Sequence, residues 1–218
     1  MITIHHLQVS QSERIIWLME ELGLPYALKS YSRDKDTRLA PPEFLKLHPL
    51  GSAPVIQDGD VTMAESLAIS TYVIDLYGEG HLRIAPGKPG YADFTYWYHY
   101  SNAGLMPQAM IHIFAAMAGG TDNSPRGVMM RERFARHLGM INDRLASHNW
   151  LAGDQFTAAD ILCHFPFGTM SAFAPIDVSA YPNIRGWLER ISARSAYRKA
   201  MKAAGHEKDP AQPGGGQL

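Results

Sequence analysis

Ile2 and Ile4 stand two apart, the spacing of one face of a strand, and predict a short strand over residues 1–7. The period then lengthens. Ile15, Leu18, Met19 and Leu22 recur at three- and four-residue intervals, which predicts a helix over 10–22 stopped by Gly23. Residues 26–31 read as a second strand, and Pro41-Pro42 open a short helix to residue 47, because proline is tolerated in a first turn. The runs 54–57 and 61–64 flank Asp58-Gly59-Asp60 and predict a hairpin. Leu67, Ile69, Val73 and Leu76 mark a helix over 66–77. The order is β-α-β-α-β-β-α, and its opening should cross over right-handed, with the first two strands parallel.

Beyond residue 77 the pattern changes. Gly78, Gly80, Pro86, Gly87, Pro89 and Gly90 crowd the stretch around a linker placed at 81–90. No strand pattern follows. A long helix is expected over 91–118, bent near Pro107 and ended by Gly119-Gly120. Further helices are expected over 126–148, 157–172, 184–194 and 195–204. The tail 205–218, with its Pro213-Gly214-Gly215-Gly216, is expected to be disordered. The domains are thus an α/β unit at 1–80 and an all-helical unit at 91–204.

Composition narrows the classes. Hydrophobic residues at 46% and charged ones at 19% exclude a disordered chain. At 218 residues, roughly 70% of the unfolded surface can be buried without disulfides. Lys plus Arg number 20 against 21 Asp plus Glu, without the basic excess of a nucleic-acid binder. The single cysteine, Cys163, can form neither an intrachain disulfide nor a CxxC pair. Apolar runs are too short for a bilayer, and no basic region precedes an apolar stretch at the N-terminus, so a cytoplasmic protein is expected. The histidines include no HExxH, and His5 and His6 on one strand face opposite ways; no metal site is expected.

On the residues alone, Ser10-Gln11-Ser12-Glu13 fits a capping box in which Glu13 answers Ser10, and Thr157-Ala158-Ala159-Asp160 fits a second, with Phe156 as a hydrophobic staple. Ser66 begins a helix, where a carboxylate is attracted, and Glu65 adds a negative charge beside it. The same pair also fits an ordinary N-cap with an acidic neighbour.

Four segments, by their order and spacing, resemble the cytosolic glutathione transferase family. They are Ser10-Gln11-Ser12-Glu13-Arg14, His48-Pro49-Leu50-Gly51-Ser52-Ala53-Pro54-Val55, Glu65-Ser66-Leu67-Ala68-Ile69 and Phe156-Thr157-Ala158-Ala159-Asp160-Ile161. The resemblance covers about residues 1–204 and is to serine-type, bacterial-like members. It implies an α/β plus all-α fold, with a thioredoxin-like βαβαββα domain followed by a helical bundle. It implies a cytoplasmic, homodimeric detoxification enzyme, a glutathione S-transferase. Glutathione would be co-substrate, small hydrophobic electrophiles would be acceptors, and there would be no permanently bound cofactor and no nucleic-acid or membrane partner. The same site could instead serve a glutathione-dependent peroxidase, dehalogenase or isomerase, or the fold could be a non-catalytic binding module.

The resemblance also implies roles. Ser10, four residues before Arg14, would stabilise the thiolate, with Ser12 as the rival hydroxyl. The tyrosine and cysteine of other classes are missing from this segment, which argues against disulfide-reductase chemistry. Ala53-Pro54-Val55 resembles the cis-proline turn, in which Val55 would offer its backbone to the cysteinyl unit by strand addition. Glu65 and Ser66 would hold the γ-glutamyl end. Arg38, with Lys35 and Ser52 behind it, would meet the glycine carboxylate; the family often has a basic residue where this chain has Ser52. Tyr100, Met106 and Met110 would line the acceptor site in the cleft between the domains, since methionine repacks around varied ligands. The same stripe also fits a core or subunit interface.

Overall fold

The alternating N-terminus folds as β1 (Ile2–Leu7), parallel to β2 (Tyr26–Tyr31), with Ile2 opposite Tyr26 and Leu7 opposite Tyr31. The computed structural model describes residues 1–118, 123–172 and 175–206. α1 (Glu13–Leu22) connects these strands, and Gly23 closes it in the left-handed conformation at φ 64°, as its position after the last apolar residue predicts. α2 (Pro42–Leu45) is shorter than expected. β3 (Val55–Asp58) and β4 (Val61–Ala64) form the hairpin, and α3 (Ser66–Tyr77) follows. β3 runs antiparallel to both β1 and β4, giving the sheet order β2-β1-β3-β4. Leu7, Tyr31, Val55 and Ala64 pack on Phe44 of α2 as one core cluster.

The chain divides into two compact units, one of Met1–Arg83 with the segment beginning at Ala193, the other beginning at Ile84 and including residues to Ser192. In the second unit, α4 (Tyr91–Tyr100) is followed by a π-helical turn, Ser101–Leu105, and then α5 (Met106–Met117). Helical backbone thus runs without a gap from Tyr91 to Met117, and its irregularity is a π-helical turn that ends just before Pro107. Pro107 falls at the start of α5 directly after this turn, where it has no N–H to donate to the turn before it. Gly104 is required in this turn, because a Cβ there would lie 2.4 Å from the Tyr100 ring. The expected stop at Gly119-Gly120 lies outside the described residues. α6 (Pro125–Ser147) starts at Ser124, whose hydroxyl accepts from the Gly127 N–H at 3.2 Å.

α7 (Ala158–His164) ends well short of residue 172, with a short 3-10 turn at Thr169–Ala172. Pro166 cannot donate the next helical hydrogen bond, which explains the early stop. The second capping box is present, with the Thr157 N–H donating to Asp160 Oδ2 at 3.1 Å. Asp160 Oδ1 also accepts from the Leu151 N–H and from Trp187 Nε1 of α8 (Pro182–Ser192), each at 3.0 Å.

α9 (Ser195–Ala203) is grouped with the bundle by sequence pattern, but it packs on α1 in the first unit. Its Tyr197 meets Trp17 edge-on at 4.9 Å. Arg194 just before it places Nε and Nη2 on the two carboxylate oxygens of Glu21, each at 2.6 Å. Tyr197, Ala200 and Met201 supply the apolar face that covers α1. From residue 207 the tail expected to be disordered lies outside the described residues. No helix among the described residues is long and apolar enough to cross a membrane.

Candidate functional site

α1 begins at Glu13, three residues later than the periodicity predicts, because Ser10 and Ser12 use their hydroxyls elsewhere. Ser10 Oγ donates to the Leu7 carbonyl at 2.7 Å and lies 2.7 Å from Ser12 Oγ; Ser12 Oγ lies 2.8 Å from His6 Nδ1. No side chain caps α1, and Glu13 faces His206 Nε2 at 2.8 Å. The capping box read from Ser10 and Glu13 is therefore not formed: both hydroxyls are engaged with the end of β1 and with each other. Ser10 keeps 7% exposure and Ser12 none, so of the two residues Ser10 is the one that reaches solvent.

The guanidinium of Arg14 is buried and donates from Nη1 to Ser66 Oγ at 3.1 Å and to Gln11 Oε1. This bond joins the start of α1 to the start of α3. Ser66 is buried, and Glu65 ahead of it is exposed with φ 76°, a left-handed value rare for a side-chain-bearing residue. That conformation turns the chain from β4 into α3 and leaves the first-turn N–H groups, which have no acceptor within the helix, aimed beyond its end.

The Ala53–Pro54 peptide bond is cis. Val55 lies within the ladder, with His5 of β1 and Ala64 of β4 as register partners on its two sides. A peptide adding beside Val55 itself would meet a strand on either flank. The N–H and C=O of Ala53, one step beyond Pro54, have no hydrogen-bond partner among the described residues. Continuing the register of the β3–β4 pair sets Pro54 level with Glu65, at the same end of the sheet as the β1–α1 junction.

Arg38 and Lys35 are exposed in the loop after β2, and Ser52 is exposed after Gly51. Arg38 is held by its backbone, at φ 61°, while Arg33 donates to the carbonyls of Gln8 at 2.9 Å, Arg38 at 3.0 Å and Val9 at 3.2 Å. Arg33 thus pins the loop that carries Arg38 to the segment leading into Ser10. Burial, with the charge of Arg38, lowers the Arg33 pKa from its ordinary value.

Tyr100, Met106 and Met110 all lie in the second unit. Tyr100 is buried, stacked on Tyr96 and His137, with its hydroxyl 2.5 Å from His137 Nδ1; burial raises its pKa. Met106 is buried and Met110 half-buried, one helical turn apart on α5.

Four residues of this arrangement carry no role in the sequence reading: His6, Arg14, Arg33 and Ala53. Two had a visible signal. His6 falls in phase with Ile2 and Ile4, a polar residue at a core position, and such residues need a partner. Arg14 precedes the apolar run Ile15-Ile16-Trp17-Leu18, where a charge must be hydrogen-bonded if buried. Arg33 and Ala53 act through backbone groups that only the folded loops bring together.

Residues 10–76 match the family described as glutathione S-transferase, N-terminal domain, and residues 125–195 that described as glutathione S-transferase, C-terminal domain. The chain is 35% identical to glutathione S-transferase 3 of Schizosaccharomyces pombe, over 93% of this chain and 87% of that protein. It is 28% identical to glutathione S-transferase 3 of Zea mays, over 87% of this chain and 88% of that one. Among solved structures, a glutathione S-transferase from Actinobacillus pleuropneumoniae superposes with TM-score 0.83 at 33% identity, covering 94% of this chain and 93% of that one.

Proposed function

The chain belongs to the glutathione S-transferase family, and from that premise we propose that it ionises glutathione at Ser10 and conjugates the sulfur to small hydrophobic electrophiles. The observation that carries the reading is the Arg14–Ser66 bond, which sets the Ser10 segment and the start of α3 side by side.

Glutathione presents two carboxylates, one ammonium, a peptide backbone and a thiol. The start of α3, with Ser66, suits the γ-glutamyl carboxylate, and exposed Glu65 suits the ammonium next to it. The cysteinyl backbone pairs with the open N–H and C=O of Ala53 beside the cis proline, and Val55 anchors that turn in the sheet. Arg38, with Lys35 and Ser52 nearby in sequence, suits the glycine carboxylate.

An ordinary thiol is only a few per cent thiolate at neutral pH. Lowering its pKa by about 2 units needs about 2.7 kcal/mol of preference for the thiolate. A hydroxyl donating to a charged acceptor contributes about 1.5–3 kcal/mol, and the positive end of α1 adds about 0.3–1 kcal/mol. Ser10, next to the start of α1, combines both. The thiolate then attacks the electrophilic atom. The new bond to sulfur forms as the leaving group departs or as an adjacent double bond takes the electron pair. Holding both reactants together supplies much of the rate.

Tyr100, Met106 and Met110 are the acceptor-side candidates, and the protein acts as a homodimer in this reading. Titration calorimetry with glutathione, followed by turnover with a panel of aryl halides, epoxides, enones and peroxides, tests it. Expected are binding heat and conjugation that falls about 10–100-fold in Ser10→Ala, with little change in KM for glutathione. If Ser12→Ala shows the loss and Ser10→Ala does not, the roles of the two serines are reversed.

A further inference from the structure

Four polar links run in series beneath Ser10. The Leu7 carbonyl is 2.7 Å from Ser10 Oγ, Ser10 Oγ is 2.7 Å from Ser12 Oγ, Ser12 Oγ is 2.8 Å from His6 Nδ1, and His6 Nε2 is 3.0 Å from the Ala204 carbonyl. The two terminal carbonyls can only accept, each hydroxyl owns one proton, and a neutral imidazole owns one. With His6 neutral, three protons therefore serve four links. A further proton on His6 fills every link, all donating in consistent order: Nε2–H to Ala204, Nδ1–H to Ser12, Ser12 to Ser10, and Ser10 to Leu7. Two longer contacts at 3.3 Å, from the Ser12 N–H to Ser10 Oγ and from Ser12 Oγ to Leu7, do not change that count.

We propose that His6 takes up the thiol proton of bound glutathione through Ser10 and Ser12, so that thiolate and buried imidazolium form together. The inference rests on the placement of the sulfur at Ser10. In the step, the S–H bond breaks and its proton goes to Ser10 Oγ. The Ser10 proton passes to Ser12 Oγ, and the Ser12 proton passes to His6 Nδ1. The electron pair stays on sulfur. Ser10 now donates to the thiolate and gives up its bond to the Leu7 carbonyl, Ser12 donates to Ser10 and His6 Nδ1–H to Ser12, and net charge is unchanged. His6 touches neither sulfur nor acceptor and is a positioning residue that also holds the proton.

The surroundings suit that role. His6 is fully buried in the sheet face that packs toward α1. Burial lowers its pKa, which keeps it neutral at rest and opposes protonation, while the Glu13 carboxylate and the Ala204 carbonyl favour the charged form. Glu13 from α1 and His206 from the segment after α9 are the titratable groups facing it; His206 opposes the charged form and is itself held by Glu13 at 2.8 Å. His5, next to it on β1, turns to the other face of the sheet, where it meets Tyr31 and Gln57.

The test mixes glutathione with the full-length protein in weak buffer containing a pH indicator, reading thiolate absorbance and proton release together. Expected for the unsubstituted protein is thiolate accompanied by well under one proton released per thiolate. His6→Asn keeps an N–H toward Ser12 but cannot titrate, and should release one proton per thiolate. A full proton per thiolate from the unsubstituted protein overturns the relay and leaves the glutathione site standing; this count needs no variant to fold. A His6→Asn protein that withholds the proton also overturns it. If no thiolate forms, or no binding heat is seen, the glutathione reading fails and takes the relay with it.

Discussion

Arg14 Nη1 donates to Ser66 Oγ at 3.1 Å, a bond between residues 52 apart in the chain. It is made by a buried guanidinium, so its loss strands a polar group as well as removing a contact. Arg14→Leu should cost about 2 kcal/mol or more of unfolding free energy in urea titration. It should also raise KM for glutathione, because the starts of α1 and α3 lose their brace. Arg14→Lys, whose compact ammonium is more strongly hydrated and lacks the rigid planar guanidinium, should recover only part of either loss.

Glu65 is exposed, and no side-chain hydrogen bond from it is among the contacts that hold α3. Glu65→Gln keeps the shape and removes the charge. Calorimetry should show glutathione binding weakened about 10–100-fold. The unfolding free energy should change by no more than about 0.5 kcal/mol, as at other surface positions. A large loss of stability with unchanged binding would make Glu65 a fold residue.

Asp160 is fully buried, and burial pushes its carboxyl up to about 6, against the pull of the Leu151, Thr157 and Trp187 hydrogen bonds. A carboxyl raised in the folded state binds its proton more tightly there than in the unfolded chain. Its contribution is therefore complete below about pH 4, the unfolded value, and is lost as pH rises through the folded one. The difference in unfolding free energy between the unsubstituted protein and Asp160→Asn should shrink by roughly 2–3 kcal/mol across that interval. A difference that grows with pH would reverse the assignment.

Much of the first unit is legible in the sequence because its signals are local: period two in β1, Asp58-Gly59-Asp60 between β3 and β4, and Gly23 after α1. The failures have a common cause. α9 has the amphipathic pattern of any bundle helix, and nothing in that pattern says that its partner is α1, far away in the chain. Ser10 and Glu13 satisfy the spacing of a capping box, yet the Leu7 carbonyl and Ser12 engage the Ser10 hydroxyl, and His206 engages the Glu13 carboxylate. Ser10, Pro54, Glu65 and Ser66 enter the candidate site through their resemblance to a family. His6 and Arg14 needed the fold, since their partners come from distant segments.

Tyr197 is almost wholly buried against Trp17. Tyr197→Ala should cost about 3 kcal/mol or more. It should speed hydrogen exchange in β1 and α1 while the amides of α6 and α8 stay protected. Loss of protection in α6 and α8 alone would return α9 to the bundle.

The central claim is that Ser10 meets the sulfur. A crystal of the protein soaked with glutathione tests it most directly. The account predicts the sulfur within hydrogen-bond reach of Ser10 Oγ, with the γ-glutamyl carboxylate at Ser66. A sulfur seated against another donor, with Ser10 still turned to Leu7, would contradict it.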